Sequence, residues 1–296
     1  MNSVSIIGSG TMGNGIAHTF AQNGYRVNLI DISESVLEKA IQTISNNLDR
    51  QIKKGSIDEN QKKKTLLNIS TFTEINKGVS ESDLIVEAIT EHLPAKRELF
   101  IELDRLSKKS CILASNTSSI SITELASKTG KPDKVIGMHF MNPVPVMQLV
   151  EIIRGFNTSE ETVQRISEIA KQLGKIPVEV KDYPGFISNR ILMPMINEAI
   201  FSLYQGIAGV KEIDTVMKLG MAHPMGPLQL ADFIGLDVCL SIMRVLFEGF
   251  GEPKYAPCPL LVKMVEGGHL GRKSGSGFYK WSADTKELVV SKYFIE

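Results

Sequence analysis

The sequence has few cysteines, and they are far apart. Cys111, Cys239 and Cys258 are an odd number at wide spacings, and no Cys-x-x-Cys pair occurs in the 296 residues. A disulfide-stabilised secreted domain or a zinc site would carry more cysteines at closer spacing. We therefore expect free thiols in a reducing compartment, a cytoplasmic location and no bound metal.

A surplus of charge and long apolar runs are also missing. The 33 Lys and Arg residues balance 33 Asp and Glu residues, whereas a chain that binds nucleic acid through its phosphates usually carries a basic surplus. The hydrophobic stretch 191–204 contains Asn197 and Glu198, and no run reaches the ~20 apolar residues of a membrane span. A strand-like run begins at Ser3, so we expect no targeting segment. Nucleic acid and membrane are thus excluded as partners, and a folded small-molecule protein is expected.

The hydrophobic pattern alternates between strands and helices over the first 183 residues. Apolar, β-prone runs predict strands at 4–7, 26–30, 84–87, 111–114, 135–139, 149–153 and 176–180. The polar stretch 33–67 has helical spacing with a break at Gly55, which predicts a helical hairpin inserted between strands. This order is typical of an α/β fold with a mostly parallel, doubly wound sheet.

The character of the chain changes at Pro184-Gly185. Beyond this pair the apolar residues recur with helical period through to about residue 247. Because a length of 296 residues suggests two domains at about 150 residues each, we place the boundary here. The expected organisation is a Rossmann-type domain at 1–183 and an all-α domain at 184–296.

A glycine-rich turn separates the first predicted strand from the first helix. It reads Gly8-Ser9-Gly10-Thr11-Met12-Gly13. In such a turn Gly8 allows the tight bend, Gly10 lets a pyrophosphate approach the backbone, and Gly13 lets the helix pack on the strand. The strand before and the helix after it make dinucleotide binding the favoured interpretation.

An acidic residue, Asp31, ends the second predicted strand about 20 residues after the turn. A carboxylate there hydrogen-bonds the adenosine ribose of NAD and repels the 2′-phosphate of NADP. The alternative is that Asp31 only caps the following helix, where Ser33 would serve as well. We expect NAD as the cofactor.

Seven sequence blocks in order resemble the L-3-hydroxyacyl-CoA dehydrogenase family, in particular its short-chain 3-hydroxybutyryl-CoA dehydrogenases. The blocks are GSGTMGNGIA at 8–17, VEAITE at 86–91, ASNTSS at 114–119, GMHFMNPVPVMQLVEII at 137–153, PGFISNR at 184–190, HPMGPLQLADFIGLD at 223–237 and GRKSGSGFYKW at 271–281. The resemblance covers essentially the whole chain.

The resemblance implies a catalytic pair and two substrate-binding residues. His139 is implied as the general base for the 3-hydroxyl and Glu151 as its partner, while Ser118 and Asn189 are implied to hydrogen-bond the substrate. An imidazole near its pKa of ~6.5 accepts a proton at neutral pH, and a buried carboxylate stabilises the imidazolium. The alternatives are a half-buried histidine at a strand end and a solvated carboxylate at a strand edge.

The resemblance also implies residues around the nicotinamide half of the cofactor. They are Glu91, Lys96, Asn116, Asn142 and Lys273. Glu91 and Lys96 alternatively form a surface pair, and Arg272 is as plausible as Lys273.

A local surplus of positive charge lies in the predicted hairpin. Residues 39–64 contain seven basic and three acidic side chains. Such an arm attracts anions, and the resemblance implies that Lys54 and Asn47 bind coenzyme A. A solvated helix face is the alternative.

Together these features predict reversible NAD-dependent oxidation of an L-3-hydroxyacyl-CoA to the 3-oxoacyl-CoA in fatty acid or butanoate metabolism. The resemblance implies a homodimer formed through the C-terminal domain. A dehydrogenase of a free hydroxy acid or sugar acid, and a non-catalytic NAD-binding relative, are the competing hypotheses.

Overall fold

The chain divides into two units, Met1–Tyr183 and Pro184–Glu296. In the first unit strands alternate with helices, and the second unit is mainly helical. The structure is a computed structural model and describes residues 2–282 and 288–294. Each unit has its own cluster of buried apolar side chains.

The first unit is built on one sheet of eight strands. In chain order the strands are β1 (Ser3–Ile7), β2 (Arg26–Ile30), β3 (Ile69–Phe72), β4 (Leu84–Glu87), β5 (Ile112–Ser115), β6 (Val135–Phe140), β7 (Leu149–Arg154) and β8 (Ile176–Lys181). They lie in the order β3-β2-β1-β4-β5-β6-β7-β8. All neighbours are parallel except β6 and β7, so that β7 and β8 run opposite to the other six. The predicted α/β class with a mostly parallel sheet is confirmed.

Seven helices accompany this sheet. They are α1 (Thr11–Gln22), α2 (Glu34–Lys53), α3 (Glu59–Leu67), α4 (Ile75–Val79), α5 (Leu93–Leu106), α6 (Ile122–Ala126) and α7 (Glu160–Gln172). The pair α2 and α3 is the predicted hairpin. Its turn contains Gly55 at a positive φ of 71°, and Asp58 begins α3 with a reciprocal capping box to Gln61, which satisfies two backbone donors at the helix start.

The second unit is helical, with one small addition. Its helices are α8 (Ser188–Tyr204), α9 (Val210–Gly220), α10 (Pro227–Ile234), α11 (Leu236–Phe250) and α12 (Pro259–Glu266). Two short antiparallel strands, β9 (Tyr279–Lys280) and β10 (Val289–Val290), follow them, so the unit is not purely α. None of the helices in the described parts of the chain is both long and apolar enough to cross a membrane.

Two buried acidic side chains tie the second unit together. Asp232 accepts hydrogen bonds from the backbone N–H groups of Phe278 and Tyr279 and from Nε1 of Trp281. Asp214 accepts from the Tyr279 hydroxyl at 2.7 Å. Burial raises the pKa of both carboxyls, and these donors offset the cost of their removal from water. The C-terminal segment is thereby attached to α9 and α10.

Candidate active site

The carboxyl edge of the sheet contains a topological switch between β1 and β4. The chain leaves β1 through α1 to reach β2 on one side, whereas β4 pairs with β1 on the other. In open α/β sheets a crevice forms outside the strand ends at such a point and receives the ligand. The candidate site is therefore assembled where β1, β4, β5 and β6 end.

The glycine turn fits a dinucleotide phosphate. Gly8 has a φ of 91°, and a Cβ on it would lie 2.7 Å from the carbonyl oxygen of Ala88. A Cβ on Gly13 would lie 1.7 Å from the carbonyl oxygen of Gly8, whereas one on Gly10 would meet no described atom within 4 Å. Gly8 and Gly13 are thus needed for packing, and Gly10 leaves open space in front of the α1 amides. The first N–H groups of a helix have no intrahelical acceptor and favour an anion.

Asp31 is attached to the glycine turn. Its Oδ2 atom accepts from the backbone N–H of Ser9 at 2.6 Å and from the Ser9 hydroxyl at 2.7 Å. Helix α2 begins after Ser33 with no side-chain cap, so helix capping by Asp31 is wrong. The carboxylate stays beside the turn, where a ribose diol can donate to it.

His139 and Glu151 form a buried cross-strand pair. They are directly opposite each other in the β6–β7 ladder, and His139 Nδ1 lies 2.7 Å from Glu151 Oε2. Glu151 is 0% exposed and His139 is 9% exposed. Because β7 runs antiparallel to β6, the start of β7 meets the end of β6 at the carboxyl edge. Glu151 is therefore not a solvated carboxylate, and His139 is buried and paired rather than a half-buried histidine at a strand end.

This pairing orients the imidazole. An ionised carboxylate can only accept a hydrogen bond, so Nδ1 carries the proton and donates it, and in a neutral ring Nε2 is the unprotonated, basic nitrogen. After Nε2 gains a proton, the adjacent carboxylate stabilises the imidazolium. The pair can therefore remove a proton from a hydroxyl group and return it.

Glu91 lies at the same edge and organises the turn after β5. Its Oε1 atom accepts from the Thr117 hydroxyl at 2.5 Å and from the backbone N–H groups of Ser118 and Ser119 at 3.0 and 3.1 Å. Although partial burial opposes the effect, the charge of Lys96 and these hydrogen bonds lower the pKa of Glu91. Glu91 is therefore a carboxylate at neutral pH.

Lys96 is buried, with only 1% of its surface exposed. Its Nζ pairs with Glu87 and lies 3.2 Å from Glu91 Oε2. A surface pair is therefore wrong for Lys96. Glu87 was missed by sequence reasoning, although it is the one charged residue of the apolar strand β4.

Asn116 links the Glu91 region to His139. Its side-chain oxygen accepts from the backbone N–H of Phe140 at 2.9 Å, and its own N–H donates to the backbone carbonyl of Glu87. Asn142 follows β6 and is exposed. The first unit thus gathers the glycine turn and the predicted residues Asp31, Glu91, Asn116, Ser118, His139 and Glu151 along one sheet edge.

The other predicted residues belong to the α2–α3 hairpin or to the second unit, and their roles stay predictions. Asn47 accepts a hydrogen bond from Arg50, and Lys54 is exposed at the end of α2. In the second unit Asn189 is buried on α8, and Lys273 Nζ lies 2.6 Å from Asp237 Oδ2. Among residues 2–282 and 288–294, no three potential metal ligands of the His, Cys, Asp and Glu types cluster.

Two family models match successive parts of the chain. Residues 3–183 match the model described as "3-hydroxyacyl-CoA dehydrogenase, NAD binding domain", and residues 185–281 match "3-hydroxyacyl-CoA dehydrogenase, C-terminal domain". The residues of the glycine turn and Asp31 fall within the NAD-binding match, which agrees with the fit of that turn to a dinucleotide.

Individual proteins are similar over nearly the whole chain. A probable 3-hydroxybutyryl-CoA dehydrogenase of Bacillus subtilis is 51% identical over 282 residues, which are 95% of this chain and 98% of that one. The human mitochondrial hydroxyacyl-coenzyme A dehydrogenase is 44% identical over 285 residues, covering 94% and 90% of the two chains. The solved structure of (S)-3-hydroxybutyryl-CoA dehydrogenase from Ralstonia eutropha has a TM-score of 0.93, with 48% identity and coverage of 95% and 99%.

The glycine turn generates a prediction that separates folding from cofactor binding. Gly10→Ala should weaken NADH binding by about tenfold or more, because the added Cβ occupies the space in which the phosphate would lie. The free energy of unfolding of the apoprotein should fall by only ~1 kcal/mol. Gly13→Ala should destabilise the apoprotein by about 3 kcal/mol because its Cβ meets the Gly8 carbonyl. Thermal unfolding without ligand and NADH fluorescence titration measure the two effects. Unchanged NADH affinity in the Gly10 variant would contradict the assignment.

Proposed function

This chain belongs to the 3-hydroxyacyl-CoA dehydrogenase family, and from that premise we propose that it interconverts L-3-hydroxyacyl-CoA and 3-oxoacyl-CoA with NAD. The 51% identity to a probable 3-hydroxybutyryl-CoA dehydrogenase supports 3-hydroxybutanoyl-CoA as the substrate, in fatty acid or butanoate metabolism. The observation that carries the chemistry is the 2.7 Å contact between His139 Nδ1 and buried Glu151 Oε2.

The proposed reaction divides the two hydrogen atoms of the alcohol between cofactor and protein. The glycine turn and Asp31 would hold NAD, which would supply the acceptor for the hydride that leaves C3 of the substrate. His139 Nε2 takes the hydroxyl proton, so that the C3–O bond becomes a carbonyl and the imidazole becomes imidazolium. Glu151 stabilises that cation through Nδ1–H. In reduction His139 returns the proton to the carbonyl oxygen.

Replacement of His139 tests the proton transfer. His139→Gln should lower turnover of acetoacetyl-CoA by ~10² or more, because no group at that position then exchanges the proton. NADH affinity should remain unchanged, since the glycine turn and Asp31 are intact. The decrease in NADH absorbance measures turnover, and fluorescence titration measures affinity. Near-normal turnover in this variant would remove His139 from the mechanism.

The α2–α3 hairpin supports a coenzyme A substrate. Six of the seven basic side chains between residues 39 and 64 are exposed. Of these seven, only Lys62 forms an ion pair with a described residue, Asp49. Unpaired exposed cations concentrate positive potential and attract phosphate groups. Lys54 is the C-cap residue of α2, beside the hairpin turn, and we assign it to the nucleotide end of coenzyme A.

Charge reversal at Lys54 tests this assignment. Lys54→Glu should raise the KM for acetoacetyl-CoA about fivefold or more with little change in kcat, and the effect should shrink at high salt. Lys128→Glu makes the same change of net charge at another exposed lysine and should leave KM unchanged. Equal efficiency with free acetoacetate and acetoacetyl-CoA would instead favour a free hydroxy acid as the substrate. Turnover of either acetoacetyl-CoA or acetoacetate would show that the protein is an enzyme and not a non-catalytic NAD-binding relative.

The cysteines support the proposed cytoplasmic location. Cys111, Cys239 and Cys258 are all buried free thiols. Burial raises the pKa of Cys111 to about 11 and that of Cys239 to about 12. The thiols therefore remain protonated and unreactive, as suits a protein without disulfides in a reducing compartment.

The second unit supports a homodimer formed through its helices. A groove of about 430 Å³ between α8 and α9 is lined largely by apolar side chains, including Ala199, Ile213 and Met217. Nearby on α9, Val216 is 59% and Leu219 is 82% exposed. Contiguous apolar surface of this kind is typical of an association surface.

Light scattering during size exclusion at low micromolar concentration tests the dimer. The wild-type protein should have twice the mass of one chain, and Val216→Asp should shift it toward the monomer by placing a charge in the apolar contact. Phe156→Asp, at an apolar side chain of the first unit that is 89% exposed, should leave the mass unchanged. A wild-type monomer would contradict the proposal.

A further inference from the structure

We infer that Glu87 is a positioning residue of the cofactor site. It holds Lys96 in the protein interior, Lys96 holds Glu91, and Glu91 holds the turn of residues 117–119. The inference rests on the proposed function only in that this site binds NAD. It assigns Glu87 a task distinct from contact with cofactor or substrate.

Glu87 is entirely enclosed at the carboxyl end of β4. It is 0% exposed, and each of its carboxylate oxygens has defined donors. Oε1 accepts from the backbone N–H of Ile89 at 2.9 Å and pairs with Lys96 Nζ, while Oε2 accepts from the Ser115 hydroxyl at 2.6 Å. A buried carboxylate with three donors is restricted to one orientation. Glu87 is therefore a rigid support.

Lys96 connects this support to the exposed rim of the site. Its ammonium group is buried and lies between two carboxylates, Glu87 inside and Glu91 Oε2 at 3.2 Å outside. Glu91 has 37% of its side chain exposed. A cation that is removed from water must stay near its counter-charges, so the position of Glu91 depends on where Glu87 holds Lys96.

The turn of residues 117–119 is tied to Glu87 by two routes. Through Lys96, Glu91 Oε1 collects donors from Thr117, Ser118 and Ser119. Through β5, the Ser115 hydroxyl that donates to Glu87 also accepts from the backbone N–H of Thr117 at 3.1 Å. Loss of the Glu87 charge would loosen both routes together.

The location of this network makes its geometry important for the cofactor. β4 pairs with β1 at the topological switch, and the two residues after Glu87, Ala88 and Ile89, lie against Gly8 of the glycine turn. A dinucleotide bound across the switch point passes the ends of both strands. Misplacement of Glu91 and the 117–119 turn would therefore weaken cofactor binding at this side of the crevice.

Glu87→Gln tests the inference because glutamine keeps the size of the side chain and removes its charge. The dissociation constant of NADH should rise about tenfold, whereas kcat at saturating NADH and its pH profile should change less than about threefold, since His139 and Glu151 are untouched. Amide exchange of residues 116–119 in the apoprotein should accelerate. The titration contains no acyl substrate, so its result is independent of which hydroxy compound the enzyme oxidises.

Lys131→Met is the matched control. Lys131 is another buried cation of the first unit, 8% exposed, whose Nζ donates to the Ser107 hydroxyl and the Lys108 carbonyl. This variant should lower the unfolding temperature without changing NADH affinity or amide exchange at 116–119. If Glu87→Gln behaves in the same way, the Glu87–Lys96 pair contributes stability alone and the inference is overturned.

Ser115→Ala provides a milder second variant should Glu87→Gln fold poorly. It removes one donor to Glu87 and the acceptor of the Thr117 amide while keeping both charges. NADH affinity should fall about threefold, and amide exchange at 117–119 should rise. Wild-type NADH affinity in a folded Ser115→Ala protein would contradict the network.

Discussion

A carboxylate that is removed from water requires a cation or a set of proton donors, and this constraint shapes the carboxyl edge of the first unit. Glu87 and Glu151 are both 0% exposed. Lys96 pairs with Glu87, and His139 pairs with Glu151. An unpaired charge at either position would cost several kcal/mol. The partners therefore keep fixed positions, and the side chains attached to them are held ready for ligand before it arrives.

Glu151 has a partner because β7 runs antiparallel to β6, which places His139 directly opposite it. The sequence predicts successive apolar strands at 135–139 and 149–153, and the family resemblance implies that His139 and Glu151 act as a pair. Their face-to-face register is not evident, because it depends on the connection between the strands. Lys175 holds that connection by donating to the carbonyls of Val144 and Met147. Lys175 immediately precedes β8, and local sequence patterns do not reveal its contact with this connection.

Sequence reasoning missed side chains that are buried by another element of the fold and strands that are very short. Glu87 reads as the polar end of a strand until α5 brings Lys96 over it. Asp214 and Asp232 carry no distinguishing signal in the sequence, yet each is buried against the C-terminal segment. Strand β3 reads ISTF, with two polar residues among four, and β9 and β10 have two residues each, so none of them contains the apolar run that predicted β4 and β5. The helices of the second unit were predictable because periodicity accumulates over several turns.

The balance of 33 basic and 33 acidic residues conceals three different uses of charge. Lys96 and Lys175 are buried in the first unit. The charge of Lys96 is balanced by the Glu87 carboxylate, and Lys175 donates hydrogen bonds to backbone carbonyls. The hairpin keeps six exposed cations that form no ion pair among the described residues, so its positive potential extends into solvent. The glycine turn binds phosphate through backbone amides and contributes no formal charge. Net charge therefore cannot report anion binding in this chain, whereas the burial and pairing of each cation can.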